Sequence, residues 1–136
     1  MTDACASRPE HHHESYRDER NDLFLTAAAM TWFLDQYLAG SDGTVDDPRV
    51  SPLYASAEAL ASGPPATVFT AGLDQLRNEG ASYAQLLSAA GVPTSHLHFA
   101  AHTHGFFSMH TALGDARMAQ AAAAQALRDA LAPEAG

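Results

Sequence analysis

Residues 66–80 read ATVFTAGLDQLRNEG, an apolar run that ends in a polar turn. Pro64 and Pro65 precede the run, and residues 66–71 are mostly apolar and partly β-branched. A short apolar run of this kind, bounded by turn residues, predicts a strand buried on both faces, as in a parallel sheet. Asp74 lies just beyond it. The sequence therefore predicts a carboxylate near the carboxyl end of a buried strand.

A helix and a second strand are predicted to follow. Residues 79–90 have helical spacing, with Asn78 as the expected N-cap and Gly91 after the last residue. We expect this helix to bury Tyr83, Leu86, Leu87 and Ala90. Residues 94–99 alternate and predict the second strand. Strand, helix and strand in this order predict two parallel strands joined by a right-handed crossover.

A histidine follows the second strand, within the stretch HTHGFF at 102–107. Because the carboxyl ends of parallel strands meet at one edge of a sheet, His104 and Asp74 are expected at the same edge. A histidine that acts as a general base needs one nitrogen for the proton it accepts. Its other nitrogen must be hydrogen-bonded to a carboxylate, which fixes the tautomer. The two residues thus predict an acid and base pair.

Four segments, in the order expected, resemble the hormone-sensitive-lipase-like branch of the α/β-hydrolases, a branch of bacterial esterases and lipases. They are ESYR at 14–17 with MTWFLDQYL at 30–38, DPRVSPL at 47–53, DQLRNEG at 74–80 and FAAHTHGF at 99–106. The resemblance implies an α/β fold and a carboxylic ester hydrolase with a serine triad, in which Asp74 is the acid and His104 the base. Two positions depart from the family pattern. Gln75 stands where Pro is usual, and Ala100-Ala101 where a Pro-Gly pair is usual.

The serine of such a triad is not found in these 136 residues, because no Gly-x-Ser-x-Gly turn occurs. The family order of Ser, Asp and His would place it upstream of Met1. We therefore expect the C-terminal portion of an α/β-hydrolase fold, incomplete without its N-terminal half. The oxyanion hole would also belong to that half, so the isolated chain is expected to lack activity. A small-molecule ester is the implied substrate of the complete enzyme, and no cofactor is implied.

Outside these motifs, residues 1–22 form a polar segment expected to be loop or disordered, and residues 23–136 the hydrolase portion. A helix is predicted from the N-cap Thr26 to a stop at Gly40. A last, alanine-rich helix is predicted at 113–131. Its apolar side is expected to contain Leu113, Met118, Ala121, Leu127 and Leu131.

Several aromatic residues have candidate roles. Phe106 and Phe107, which follow His104, are expected to provide apolar surface for packing or for the acyl group of a substrate, and Gly105 to allow a tight turn. Trp32, Phe33 and Tyr37 are expected to pack in the fold. They are less expected to contact substrate, although the resemblance places this segment close to the lid region.

Two other classes of function stay open at this point. The chain could be a non-catalytic interaction domain, or a half-enzyme that pairs with another chain through its sheet edge. The resemblance also implies a homodimer through the last strand and helix, which here are residues 94–99 and 113–131. The other class is a histidine-rich metal-binding domain, because His96, His98, His102 and His104 form a His-x-His-x-x-x-His-x-His pattern and alternate strand residues share a face.

Composition limits the remaining classes. A formal net charge of −9 argues against nucleic-acid binding, which needs a basic face. The single cysteine, Cys5, has no internal disulfide partner, which favours a reducing compartment and a cytoplasmic location. No run is apolar enough to predict a signal peptide or a membrane span.

Overall fold

The computed structural model describes residues 13–132, which divide between His104 and Gly105 into two compact units. Cys5 and the histidines at 11 and 12 lie outside the described residues. The helices and strands are α1 (Ala27–Leu38), α2 (Ala57–Ala61), β1 (Ala66–Leu73), α3 (Arg77–Ala89), β2 (Thr94–Thr103) and α4 (Gly114–Leu131). Among residues 13–132, no helix is both long and apolar enough to cross a membrane.

The sheet of the first unit is the predicted one. β1 and β2 are parallel, in register from the pair of Ala66 and Thr94 to the pair of Ala71 and Phe99, and α3 connects them. The α/β architecture predicted from the sequence is thereby confirmed. In the part of the chain that the structure describes, the sheet has these two strands only.

An irregularity in the sheet extends β2 beyond its predicted end. The register shifts after Ala71, so that Leu73 pairs with Thr103. At this point the backbones approach so closely that a Cβ on Gly72 would overlap the carbonyl of Ala100. Only glycine fits there without displacing backbone. The alternating pattern of residues 94–99 did not reveal the four further residues of β2.

Helix α3 starts earlier than predicted, and the assignment of Asn78 as its N-cap was wrong. Its N-cap position is Leu76, and Asn78 lies within the helix. The reason is local. Asp74 accepts a hydrogen bond from the Leu76 N–H through Oδ1 at 2.9 Å and from the Arg77 N–H through its carbonyl at 3.2 Å. These bonds form the turn that leads into the helix.

The core of this region lies where α2 and α3 meet the start of β1. Leu60, Leu87 and Val92 are its buried centre. Tyr83 and Ala90 pack against this centre, but Leu86 is 39% exposed, contrary to the prediction. Gly80 brings α3 close to the sheet, because a Cβ there would lie 2.7 Å from Thr70 Cγ2.

Helix α1 is capped as predicted. The Thr26 side chain accepts a hydrogen bond from the Ala29 N–H at 3.0 Å, and Gly40 follows the helix with φ of 75°. Met30 and Leu34 are its buried residues. The exposed fractions of Trp32, Phe33 and Tyr37 are 57%, 54% and 68%, so the expectation that these three pack in the fold was wrong for this chain.

The described part of the polar N-terminal segment, residues 13–22, contains two single 3-10 turns, Glu14–Tyr16 and Glu19–Asn21. Ser15, Tyr16 and Asn21 are buried. The sequence has no hydrophobic periodicity here that would predict the burial of these three residues, because polar contacts hold the segment in place. Ser15 donates to the Gln75 carbonyl, and Tyr16 donates to Glu79 Oε1.

The second unit consists of a 3-10 turn, Phe106–Ser108, and helix α4. Within it, the Gln120 amide donates to the Phe107 carbonyl at 2.9 Å. Helix α4 is confirmed, but its small residues Ala116 and Ala119 are the buried ones. The larger apolar residues of the predicted side are exposed: Met118, Leu127 and Leu131.

Candidate active site

Asp74 lies one residue beyond the end of β1 and is 8% exposed. Its two carboxylate oxygens have different partners. Oδ1 accepts the Leu76 N–H, and Oδ2 lies 3.0 Å from His104 Nδ1. The residue therefore stabilises the turn after β1 and also contacts the histidine.

His104 lies one residue beyond the end of β2. An ionised carboxylate only accepts hydrogen bonds, so Nδ1 carries the proton that is shared with Asp74. In this tautomer Nε2 is the nitrogen that can accept a proton. The imidazole is 27% exposed and the Asp74 side chain 11%. The predicted proximity of Asp74 and His104 is confirmed.

A groove with a volume of about 650 Å³ runs beside this pair. Asp74 and His104 both line it. Its remaining wall is formed by residues 63–70 at and before β1, by Ala59 and Leu60 of α2, and by residues at or within α3, among them Leu76, Arg77 and Tyr83. The groove follows β1, and its wall combines apolar side chains with the two polar groups of the pair.

Two of the three histidines of β2 contact the same hydroxyl group. Thr70 Oγ1 lies 2.8 Å from His96 Nε2 and 2.9 Å from His98 Nδ1. Partial desolvation of its ring, and then the neighbouring His98, lower the pKa of His96 from its ordinary value. Within residues 13–132, no group of three or more His, Cys, Asp or Glu side chains is arranged to hold a metal ion.

Phe106 and Phe107 belong to the second unit. Phe106 is buried, with 5% of its surface exposed, and Phe107 is half-buried. Gly105, which precedes them, has φ of 79°, the left-handed conformation expected for a tight turn after the histidine.

Sequence reasoning missed the residues that hold the loop after β1. Arg77 Nη1 donates to the Gly72 carbonyl at 2.8 Å. Ser15 Oγ donates to the Gln75 carbonyl at 2.6 Å, across 60 residues of sequence. The one signal available was that Ser15 and Gln75 both lie within segments that carry the family resemblance.

Comparison with known proteins supports the resemblance. A profile of the alpha/beta hydrolase fold family matches residues 1–108. The carboxylic ester hydrolase LipN of Mycobacterium tuberculosis is 44% identical over 89 residues, which are 65% of this chain and 23% of LipN. The ethyl acetate hydrolase of Pseudomonas putida is 31% identical over 116 residues, 85% of this chain and 34% of that enzyme.

Solved structures agree. A mutant of the esterase rPPE, in complex with (S)-Ac-CPA, superposes with a TM-score of 0.85 at 32% identity, over 96% of this chain and 40% of the esterase. A thermophilic carboxylesterase cloned from a metagenomic library gives a TM-score of 0.78 at 32% identity, over 91% of this chain and 42% of that one.

The curated relatives limit what the match covers. The chain spans between 23% and 34% of their lengths. The matching profile, the relatives and the superposed structures show that this chain belongs to the α/β-hydrolase family, in its hormone-sensitive-lipase-like branch of bacterial esterases, and that it corresponds to part of the length of those proteins.

Proposed function

We propose that this chain contributes the acid and the base of a carboxylic ester hydrolase, with Asp74 as the acid and His104 as the base. The observation that carries the proposal is the 3.0 Å contact between Asp74 Oδ2 and His104 Nδ1. It joins residues at the ends of two parallel strands, which is where open α/β sheets place their active sites.

The reaction of the complete enzyme would be acyl transfer from a small ester to serine and then to water. His104 Nε2 would remove the serine proton and later return it to the leaving alcohol. Asp74 would keep Nδ1 protonated and would stabilise the imidazolium that forms. A second polypeptide segment must supply the serine, because no Gly-x-Ser-x-Gly turn occurs in the 136 residues.

Phe106 and Phe107 are proposed to contribute apolar surface for the acyl group. Their aromatic side chains and their position directly after His104 and Gly105 in the sequence support this role. The groove beside the pair is of a size suited to a small molecule.

The test is complementation. The portion of the Pseudomonas putida ethyl acetate hydrolase that precedes its match is joined to this chain, and hydrolysis of p-nitrophenyl acetate is measured on the folded chimera. We expect saturable esterase activity that His104→Ala abolishes. The matched control is His98→Ala, which removes another histidine of the same region and should leave activity close to that of the parent. Activity that survives His104→Ala would refute the proposal.

A second candidate function is association with another polypeptide, either a separately made N-terminal half or a second copy of the chain. The exposed aromatic side chains of α1 favour it, because Trp32, Phe33 and Tyr37 each have more than half of their surface exposed. This candidate and the first are compatible, since a half-enzyme must bind its partner before it can catalyse.

A further inference from the structure

Gln75 follows the proposed acid directly and is 1% exposed. Its backbone is held by Ser15, whose hydroxyl donates to the Gln75 carbonyl at 2.6 Å. Ser15 is held in turn by Asn21, whose side-chain amide donates to the Ser15 carbonyl at 2.8 Å. We call residues 15–22 the anchor segment, because it contacts the loop that carries Asp74.

The Gln75 side chain makes a second link to the same segment. Its Nε2 donates to Asp22 Oδ1 at 3.3 Å, and the same oxygen accepts the N–H of Ala27, the first residue of α1, at 3.0 Å. A carboxylate can only accept here, so the amide nitrogen of Gln75 must face Asp22. Gln75 thus connects the loop that carries Asp74 to the start of α1.

This orientation of the amide has a cost. It leaves Gln75 Oε1 buried with no hydrogen-bond donor among residues 13–132. Leaving a buried acceptor unsatisfied is unfavourable, and an apolar side chain of the same size would avoid it. The amide at this position is therefore better explained by its bond to Asp22 than by packing.

The link acts next to the reacting pair. Asp74 Oδ1 is bound to the N–H of Leu76, so the carboxylate is oriented by the backbone on both sides of Gln75. A rotation of that backbone would move Oδ2 away from His104 Nδ1, and a displacement of about 1 Å is enough to lengthen a 3.0 Å bond beyond its effective range.

We infer that Gln75 is a positioning residue, which holds the Asp74 carboxylate on His104 Nδ1 through its hydrogen bond to Asp22. The inference rests on the proposed function, because it concerns the same acid and base. It assigns Gln75 no contact with substrate.

The experiment uses the full chain and reports on the pair without needing catalysis. Chains labelled with ¹⁵N in histidine are studied by NMR at a pH where the His104 imidazole is neutral, so that its two ring-nitrogen shifts give the ratio of its Nδ1–H and Nε2–H tautomers. We expect the Nδ1–H form to dominate in the parent. Gln75→Met keeps the volume and removes the amide. It should lower the ratio by about three- to tenfold, because the contact between Asp74 and His104, which favours the Nδ1–H form, would weaken by about the strength of one ordinary hydrogen bond.

Asp22 variants separate the hydrogen bond from charge and from folding. Asp22→Ala removes the acceptor and should lower the ratio as Gln75→Met does, which keeps the test available if Gln75→Met does not fold. Asp22→Asn retains an oxygen acceptor and should preserve the ratio. Gln125→Met is the matched control, because Gln125 also donates Nε2 to a carboxylate, that of Asp129 at 2.6 Å, in helix α4 of the second unit.

The outcomes distinguish the inference from the proposed function. Asp74→Ala must itself lower the tautomer ratio, and a ratio that it leaves unchanged would remove the pair on which the proposed function depends. If Asp74→Ala lowers the ratio but Gln75→Met and Asp22→Ala leave it unchanged while reducing stability, Gln75 is merely structural and the inference is overturned. An equal loss in Asp22→Asn and Asp22→Ala would also overturn it.

Discussion

His104 Nδ1 lies 3.0 Å from Asp74 Oδ2, although 30 residues separate them in the sequence. The contact forms because β1 and β2 are parallel and both residues lie just beyond the carboxyl ends of their strands. The register shift after Ala71 lets β2 continue to Thr103 before the histidine. The geometry of the pair therefore depends on the irregular end of the sheet.

The chain alone should not act as an esterase. We expect it to hydrolyse p-nitrophenyl acetate no faster than free imidazole at the same histidine concentration, because a base and its acid cannot replace the nucleophile and the oxyanion donors. His104→Ala is the control and should lower this background rate by no more than the share of one histidine among the eight in the chain. Saturable turnover by the unextended chain would contradict the prediction.

In the chimera, Asp74→Asn should reduce kcat/KM by roughly three to four orders of magnitude. The amide can donate to His104 Nδ1, which stabilises the tautomer in which Nε2 carries the proton and cannot accept the one from serine. Steady-state kinetics with p-nitrophenyl acetate measure the loss. Asp129→Asn, on the exposed surface of α4, is the control. A loss below about tenfold in Asp74→Asn would argue that another group orients the histidine.

Gly72→Ala should destabilise the first unit. A Cβ at this position overlaps the Ala100 backbone, which cannot rotate away as a side chain could, and we expect a loss of about 1–3 kcal/mol in the free energy of unfolding. Urea titration measures it. Gly114→Ala is the comparison, because the nearest atom to its Cβ would be 3.7 Å away and alanine is the better helix former. Equal stability of the two variants would show that the strands do not approach as described.

Stability should fall as the pH is lowered through the range just below 6.5. The pKa of His96 is lowered in the folded chain by partial desolvation and by His98, so the unfolded chain, with a histidine pKa near 6.5, takes up the proton first. The unfolded state binds more protons in this range, and folding is weakened there but not above it. His96→Gln should flatten this part of a plot of denaturant midpoint against pH. An equally steep fall of the midpoint in His96→Gln would contradict the prediction.

The isolated chain should self-associate through the exposed aromatics of α1. Trp32 and Phe33 make an edge-to-face contact, with ring centroids 5.2 Å apart, and each has more than half of its surface exposed. Sedimentation velocity should show oligomers that the double change Trp32→Gln and Phe33→Gln reduces. Tyr54→Gln, at an aromatic residue 46% exposed outside α1, should have less effect. A sharp monomer with a cooperative melt would contradict this prediction.

The sequence by itself determined the order of the main elements and the two residues of the pair. The apolar run at 66–71, the helical spacing of 79–90 and the alternation at 94–99 are local patterns, and they sufficed to predict two parallel strands with Asp74 and His104 at one edge. The capping of α1 by Thr26 was equally local and is confirmed.

Only the tertiary structure decided what holds that pair in place. The contacts of Ser15 and Asp22 with Gln75 cross more than 50 residues, join polar groups and leave no period in the sequence. The close approach of Gly72 to Ala100 likewise depends on pairing between two strands. Exposure was also undetermined, because Leu86 fits the pattern of a buried helix face and yet 39% of it is exposed in the described part of the chain. A hydrophobic pattern in the sequence indicates which face of a segment is apolar enough to be buried, whereas the burial of that face depends on which other segments are present to cover it.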